Sequence, residues 1–104
     1  MQPLYSLNYS SEARENLRDI QDYIVSKSGV IEIATGQVMR ITAAARSLTF
    51  FPKVHRVRGK DRFGNELRVC PVDNYIILYS IDEVERVVNI SRVLYGRRNI
   101  DSLP

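Results

Sequence analysis

The apolar pattern of the chain changes period at Pro52, and any fold must accommodate both periods. Before that proline, Ala13, Leu17, Ile20 and Ile24 follow at spacings of 4, 3 and 4. Ala34, Val38, Ile41, Ala45 and Leu48 repeat in the same manner. Such spacing draws one apolar stripe along a helix, so two amphipathic helices are expected. After the proline, ELRVCPV, YIILYSI and RVVNISRVLY are rich in β-branched and aromatic residues and are separated by short polar breaks. Those are strand signatures.

Local signals place the boundaries. PLYSLNYS alternates Leu4, Ser6 and Asn8 with Tyr5, Leu7 and Tyr9, a period of two that predicts a short N-terminal strand. Ser10 or Ser11 stands where a helix needs a side-chain cap, and Glu12 and Glu15 suit the positive helix start. Gly29 stops the first helix and Pro52 the second, with Arg40 and Arg46 facing water. Gly64-Asn65 and Asp82-Glu83 supply turns between strands. Pro71 predicts a break or bulge in its strand, and a further strand is possible around Val54–Arg58. The expected fold is α+β in one domain over residues 1–104. It has an N-terminal strand, two antiparallel helices, then a three- to four-stranded antiparallel meander with the helices on one sheet face.

Bulk properties exclude several classes. A chain of 104 residues has room for one modest core, so stability should be slender and a partner can matter. The single cysteine, Cys70, allows no internal disulfide and no cysteine metal site. With no signal-like N-terminus and no apolar run of bilayer length, a soluble cytoplasmic protein with no membrane partner is expected. The formal charge of +3 is unevenly spread. Residues 1–30 carry three basic and four acidic groups, whereas KVHRVRGKDRFGNELR, residues 53–68, carries six basic and two. A positive face able to meet an anionic surface follows, unless the segment is an ordinary solvated loop.

Few residues nominate chemistry. No Gly-rich loop opens a helix and no GKS/T tripeptide occurs, so nucleotide binding is unsupported. The one histidine, His55, has no second ligand to share a metal with; no metal and no cofactor are expected. His55 can still serve as an acid or base near neutral pH, or be a solvated loop residue. Cys70, between Val69 and Pro71, reads as a small buried apolar residue rather than a nucleophile. Glu12, Glu15, Asp19 and Asp22 interleave with Arg14 and Arg18 as a solvated helix face. What remains is Arg68, Arg92, Tyr95, Arg97 and Arg98. Guanidinium groups suit phosphate and carboxylate, and Arg68 and the YGRR turn converge if the sheet brings them together. Otherwise Arg68 pairs with a carboxylate such as Asp73 or Glu85.

The chain resembles the RelE/ParE superfamily of toxins from type II toxin–antitoxin systems. Ser10 with Ala13, Leu17, Ile20 and Tyr23, then LTFFP, LRV, YIILYSI and VNISRVLYGRRNI carry the likeness in the family's order, over nearly the whole chain. RVLYGRRNI is most similar to the ParE branch, where histidine commonly replaces Tyr95. The resemblance implies a cognate antitoxin, ParD-like or other, whose C-terminal segment folds on binding. It also implies one of two activities. A ParE-like toxin inhibits DNA gyrase by binding it, with Arg68, Tyr95, Arg97 and Arg98 as contacts rather than catalysts. A RelE-like toxin cuts mRNA on the ribosome, and Arg68, Tyr95 and Arg97, with His55, can fill its catalytic roles. Against the second, a RelE-type arginine is replaced at or near Pro71. The tyrosine RelE-like chains carry after their last arginines is also missing from NIDSLP.

Overall fold

The computed structural model describes residues 2–96. Strand β1 (Ser6–Tyr9) leads into helix α1 (Ser11–Ser28) and helix α2 (Ile31–Ser47). Strands β2 (Val57–Lys60), β3 (Glu66–Val72), β4 (Tyr75–Asp82) and β5 (Val87–Tyr95) follow. β2 to β5 form an antiparallel meander, and β1 joins its far side parallel to β5, giving the order β1-β5-β4-β3-β2. The α+β expectation holds, with a fifth strand in a mixed sheet.

Ser10 explains how the chain leaves the sheet for α1. Its Oγ accepts from the Ala13 N–H at 2.9 Å, capping the helix, and donates to the Ser91 carbonyl at 2.7 Å. At that point β5 bulges: Leu78 pairs with Arg92 but Tyr79 with Ile90, leaving Ser91 unmatched. Two residues further along the same edge, the Val93 N–H donates to Asn16 Oδ1 at 3.0 Å. Side chains of α1 thus satisfy backbone groups that β1 no longer covers.

Gly29, at φ 71°, ends α1 in the left-handed conformation that favours glycine. α2 ends a turn before Pro52, because residues 48–50 tighten into bonds three residues back, from Leu48, Thr49 and Phe50 to Ala45, Arg46 and Ser47. The carboxylates of α1 are exposed, as expected of a solvated face.

The core lies between the helices and one sheet face. Ala13 and Ile20 of α1 and Ile41 and Ala45 of α2 pack with Ile77 and Tyr79. Cys70 belongs to this core, and its burial pushes the thiol pKa up, away from nucleophilic use. On the opposite face Val69, Ile76 and Leu78, with Leu94, form a smaller cluster of strand residues alone.

Two sequence expectations need correction. Pro71 causes no bulge; it pairs in register with Ile76. Val72 and Tyr75 flank a two-residue turn as a hydrogen-bonded pair, so the next pair, Pro71 and Ile76, exchanges no ladder bonds. The proline nitrogen therefore faces the side that β2, paired only as far as Arg68, does not reach. The strand expected at Val54–Arg58 runs instead from Val57 to Lys60, with its bulge between Val57 and Gly59.

Two side-chain networks tie the ends of the sheet to the rest. Tyr5 donates to Glu83 at 2.6 Å and receives the Arg86 guanidinium at 3.1 Å, while Lys53 pairs with Glu83 at 3.4 Å. At the other end Arg40 and Gln37 of α2 donate to Asp73 at 2.9 and 3.0 Å, holding its carboxyl below the usual range. Ser10→Ala should lower unfolding stability by about 1–2 kcal/mol in urea titration. Ser10→Thr, which keeps the hydroxyl, should lose less.

Candidate contact surfaces

Arg68 and Tyr95, singled out in the sequence, lie on different strands and on rows four residues apart. Arg68 stands opposite Tyr79 on β4 and points its guanidinium to the loop after α2. Its Nη1 donates to the His55 carbonyl at 2.5 Å, and the Tyr79 hydroxyl donates to the Pro52 carbonyl at 2.7 Å. The His55 ring meets the Tyr79 ring edge-on at 6.4 Å. Arg68 therefore pairs with neither Asp73, which holds Arg40, nor Glu85; its partner is a backbone carbonyl. Two side chains of the sheet clamp one loop, so Arg68 acts on the shape of the basic segment.

Burial pushes the Tyr79 phenol up to about 12, against the opposing charge of Arg68. The hydroxyl is thus a permanent donor to Pro52. His55 is half-buried, placed by its carbonyl and its ring edge.

Tyr95 closes β5 and pairs with Tyr75 across the ladder. Their rings meet edge-on at 5.3 Å. Tyr75 is buried; Tyr95 is 61% exposed. Burial raises the Tyr75 pKa, and the phenols of Tyr95 and Tyr23 lie close enough to add to the shift. Tyr23, 56% exposed, comes from α1 and carries the Lys27 ammonium 5.7 Å from its ring centre. Tyr23 was not singled out as a site residue. The signal available was its place beside the Leu17–Ile20–Ile24 stripe, one turn before a lysine. Arg92 is exposed on β5 opposite Leu78. Arg97 and Arg98 lie outside the described residues.

Arg68 and Tyr95 do not converge. Both lie on the helix-facing side, but their rows cross β4 at Tyr79 and Tyr75 respectively. Four residues of strand separate those rows, about 13 Å, and two strand spacings add about 9.6 Å across. Among the described residues no group of three or more His, Cys, Asp or Glu could hold a metal ion, and no helix is long and apolar enough to cross a membrane.

The structure resembles the chromosomal ParDE toxin–antitoxin system from P. aeruginosa, with a TM-score of 0.74 at 19% identity over 90% of this chain and 98% of that one. It also resembles the RelBE2 toxin–antitoxin complex from Mycobacterium tuberculosis, with a TM-score of 0.64 at 20% identity over 90% and 99% of the two chains. The archaeal RelE–RelB complex from Pyrococcus horikoshii OT3 gives 0.63 at 13% identity over 91% and 98%. No curated protein sequence gives a significant match. At these identities the likeness speaks for the fold. The family profile described as ParE toxin of type II toxin–antitoxin system, parDE, matches residues 7–100, and the chain belongs to that family.

The raised Tyr79 pKa has a testable consequence. A phenol whose folded pKa exceeds its unfolded value of about 10 stabilises the fold below pH 10. That contribution is lost as pH rises through about 12. Tyr79→Phe should therefore be less stable than the parent at pH 8 by about 1–2 kcal/mol, since it strands the Pro52 carbonyl. The gap should narrow as pH climbs past 10 in denaturant titrations.

Proposed function

We propose that this toxin inhibits DNA gyrase by binding it, and that a cognate antitoxin, folding over the toxin, neutralises it. One observation carries the preference for binding over RNA cleavage. Cleavage by 2′-hydroxyl attack needs a base, a leaving-group acid and a cation at one phosphate. Here Arg68 is held by the His55 carbonyl at one end of the sheet, and Tyr95 is at the other. The likeness to toxins solved with their antitoxins supports the antitoxin partner. The ParE family match supports gyrase as target.

On this reading the contacts are Tyr95, whose ring packs on Tyr75 near Tyr23, and the two arginines that follow it in the sequence, Arg97 and Arg98. Tyrosine and arginine are the side chains that most often dominate binding energy at interfaces. Arg68 shapes the neighbouring loop and contributes indirectly. The ribosome-dependent nuclease remains the second reading, favoured by the exposure of the Tyr95 ring, 61%, at a strand end.

Purified gyrase with supercoiled plasmid separates the two. The chain should block supercoiling and accumulate cleaved plasmid, and Arg97→Glu/Arg98→Glu should lose at least tenfold in potency while remaining folded. Tyr95→Phe keeps the ring and should retain most of the effect. Inactive gyrase assays together with Tyr95-dependent mRNA cuts on ribosomes would favour the nuclease.

A further inference from the structure

The basic segment is built as a projecting hairpin. β2 is the outermost strand and is exposed at every residue. Its turn to β3 is locked from inside by Asp61, whose carboxylate accepts from the Phe63 and Asn65 N–H groups at 2.9 Å and from the Asn65 amide at 3.1 Å. Gly64, at φ 86°, completes the turn. Arg68 and Tyr79 clamp the entering loop. A short basic loop in a small protein is usually mobile; this one is pinned at both ends.

Arg56, Arg58, Lys60 and Arg62 recur at every second position along this hairpin, and all four are exposed. Among the described residues the ion pairs are Arg40–Asp73 and Lys53–Glu83, so none of the four is neutralised by contact. Asp61 spends both carboxylate oxygens on the turn, and Glu66 stands across from Lys60 without pairing. Phe63 at the tip is 76% exposed with the Arg62 guanidinium 5.1 Å from its ring centre.

We propose that this hairpin binds the phosphate backbone of duplex DNA, an inference that rests on the gyrase reading for its biological meaning. Arg58 and Lys60 lie on β2, Arg56 just before it and Arg62 in its turn, and the bulge between Val57 and Gly59 makes the four an irregular row of exposed cations. Such a row suits sequence-independent contact, since each DNA strand presents a phosphate about every 3.4 Å along the axis. A two-stranded ribbon fits the major groove of B-form DNA, whereas the deep, narrow major groove of A-form RNA excludes side chains. A peptide strand adding to β2 is disfavoured by its length of 4 residues, its bulge and its cations, all features that blunt an edge.

The test is fluorescence anisotropy of a labelled 20-base-pair duplex with the purified full chain across a salt series. Four phosphate contacts predict a log–log salt slope of about −3.6, a loss of roughly a hundredfold between 50 and 200 mM salt. Arg58→Gln/Lys60→Gln should flatten the slope by about 1.8. Arg14→Gln/Arg18→Gln, which removes the same charge from exposed positions on α1, should leave it nearly unchanged; circular dichroism confirms that both variants fold. Equal losses from the two pairs overturn the proposal, as does tighter binding of single-stranded RNA or of a glutamate-rich peptide. Absence of duplex binding by a chain that still poisons gyrase overturns this inference alone. Duplex binding by a chain inert toward gyrase leaves the hairpin standing and removes the gyrase reading.

Discussion

Strand β4 is buried over six consecutive residues, Tyr75 to Ser80, and it occupies the centre of the sheet. Its odd-numbered side chains lie under the helices, and its even-numbered Ile76 and Leu78 lie in the smaller cluster opposite. A strand apolar on both faces must be central, because either edge position would leave its backbone groups unpaired. The exposed charged side chains of the sheet therefore fall at its edges and strand ends. Tyr75 and Tyr79 face the same side four residues apart and anchor those ends. Tyr79 grips the loop before β2, and Tyr75 backs Tyr95.

Much of this architecture was legible from residue order. The stripes through Ile20 and Ile41, a serine cap at Ser10 or Ser11 (it is Ser10), the Gly29 stop and the strand runs have local causes that survive folding. What could not be read depends on partners distant in sequence. β1 lies parallel to β5 through a ladder whose partners are 81 residues apart, and the Ser10 contact with Ser91 continues it past the end of β1. Pro71 avoids a bulge because the turn at Asp73 sets which of its neighbours needs a ladder bond. The same limit applied to the site: an arginine between Leu67 and Val69 looks available for an anion, yet its guanidinium turns to a carbonyl 13 residues back. Pairing choice is a tertiary property, and spacing is silent on it.

The two ends differ in chemistry. The tyrosine end offers rigid aromatic surface with a lysine at its rim, suited to a protein partner. The hairpin end offers spaced cations with little contact area, suited to a diffuse anionic lattice. A protein that acts on an enzyme holding DNA can use both kinds of surface at once. Arg68 serves the second end by fixing the loop that leads into it, a positioning role.

The most direct measurement is a pulse-labelling time course after the chain is induced alone in a bacterium, with thymidine and methionine incorporation followed in parallel. Poisoned gyrase predicts that thymidine incorporation falls first while methionine incorporation persists. Collapse of methionine incorporation within minutes, with replication fading later, would contradict the gyrase reading and make Tyr95 a catalytic group.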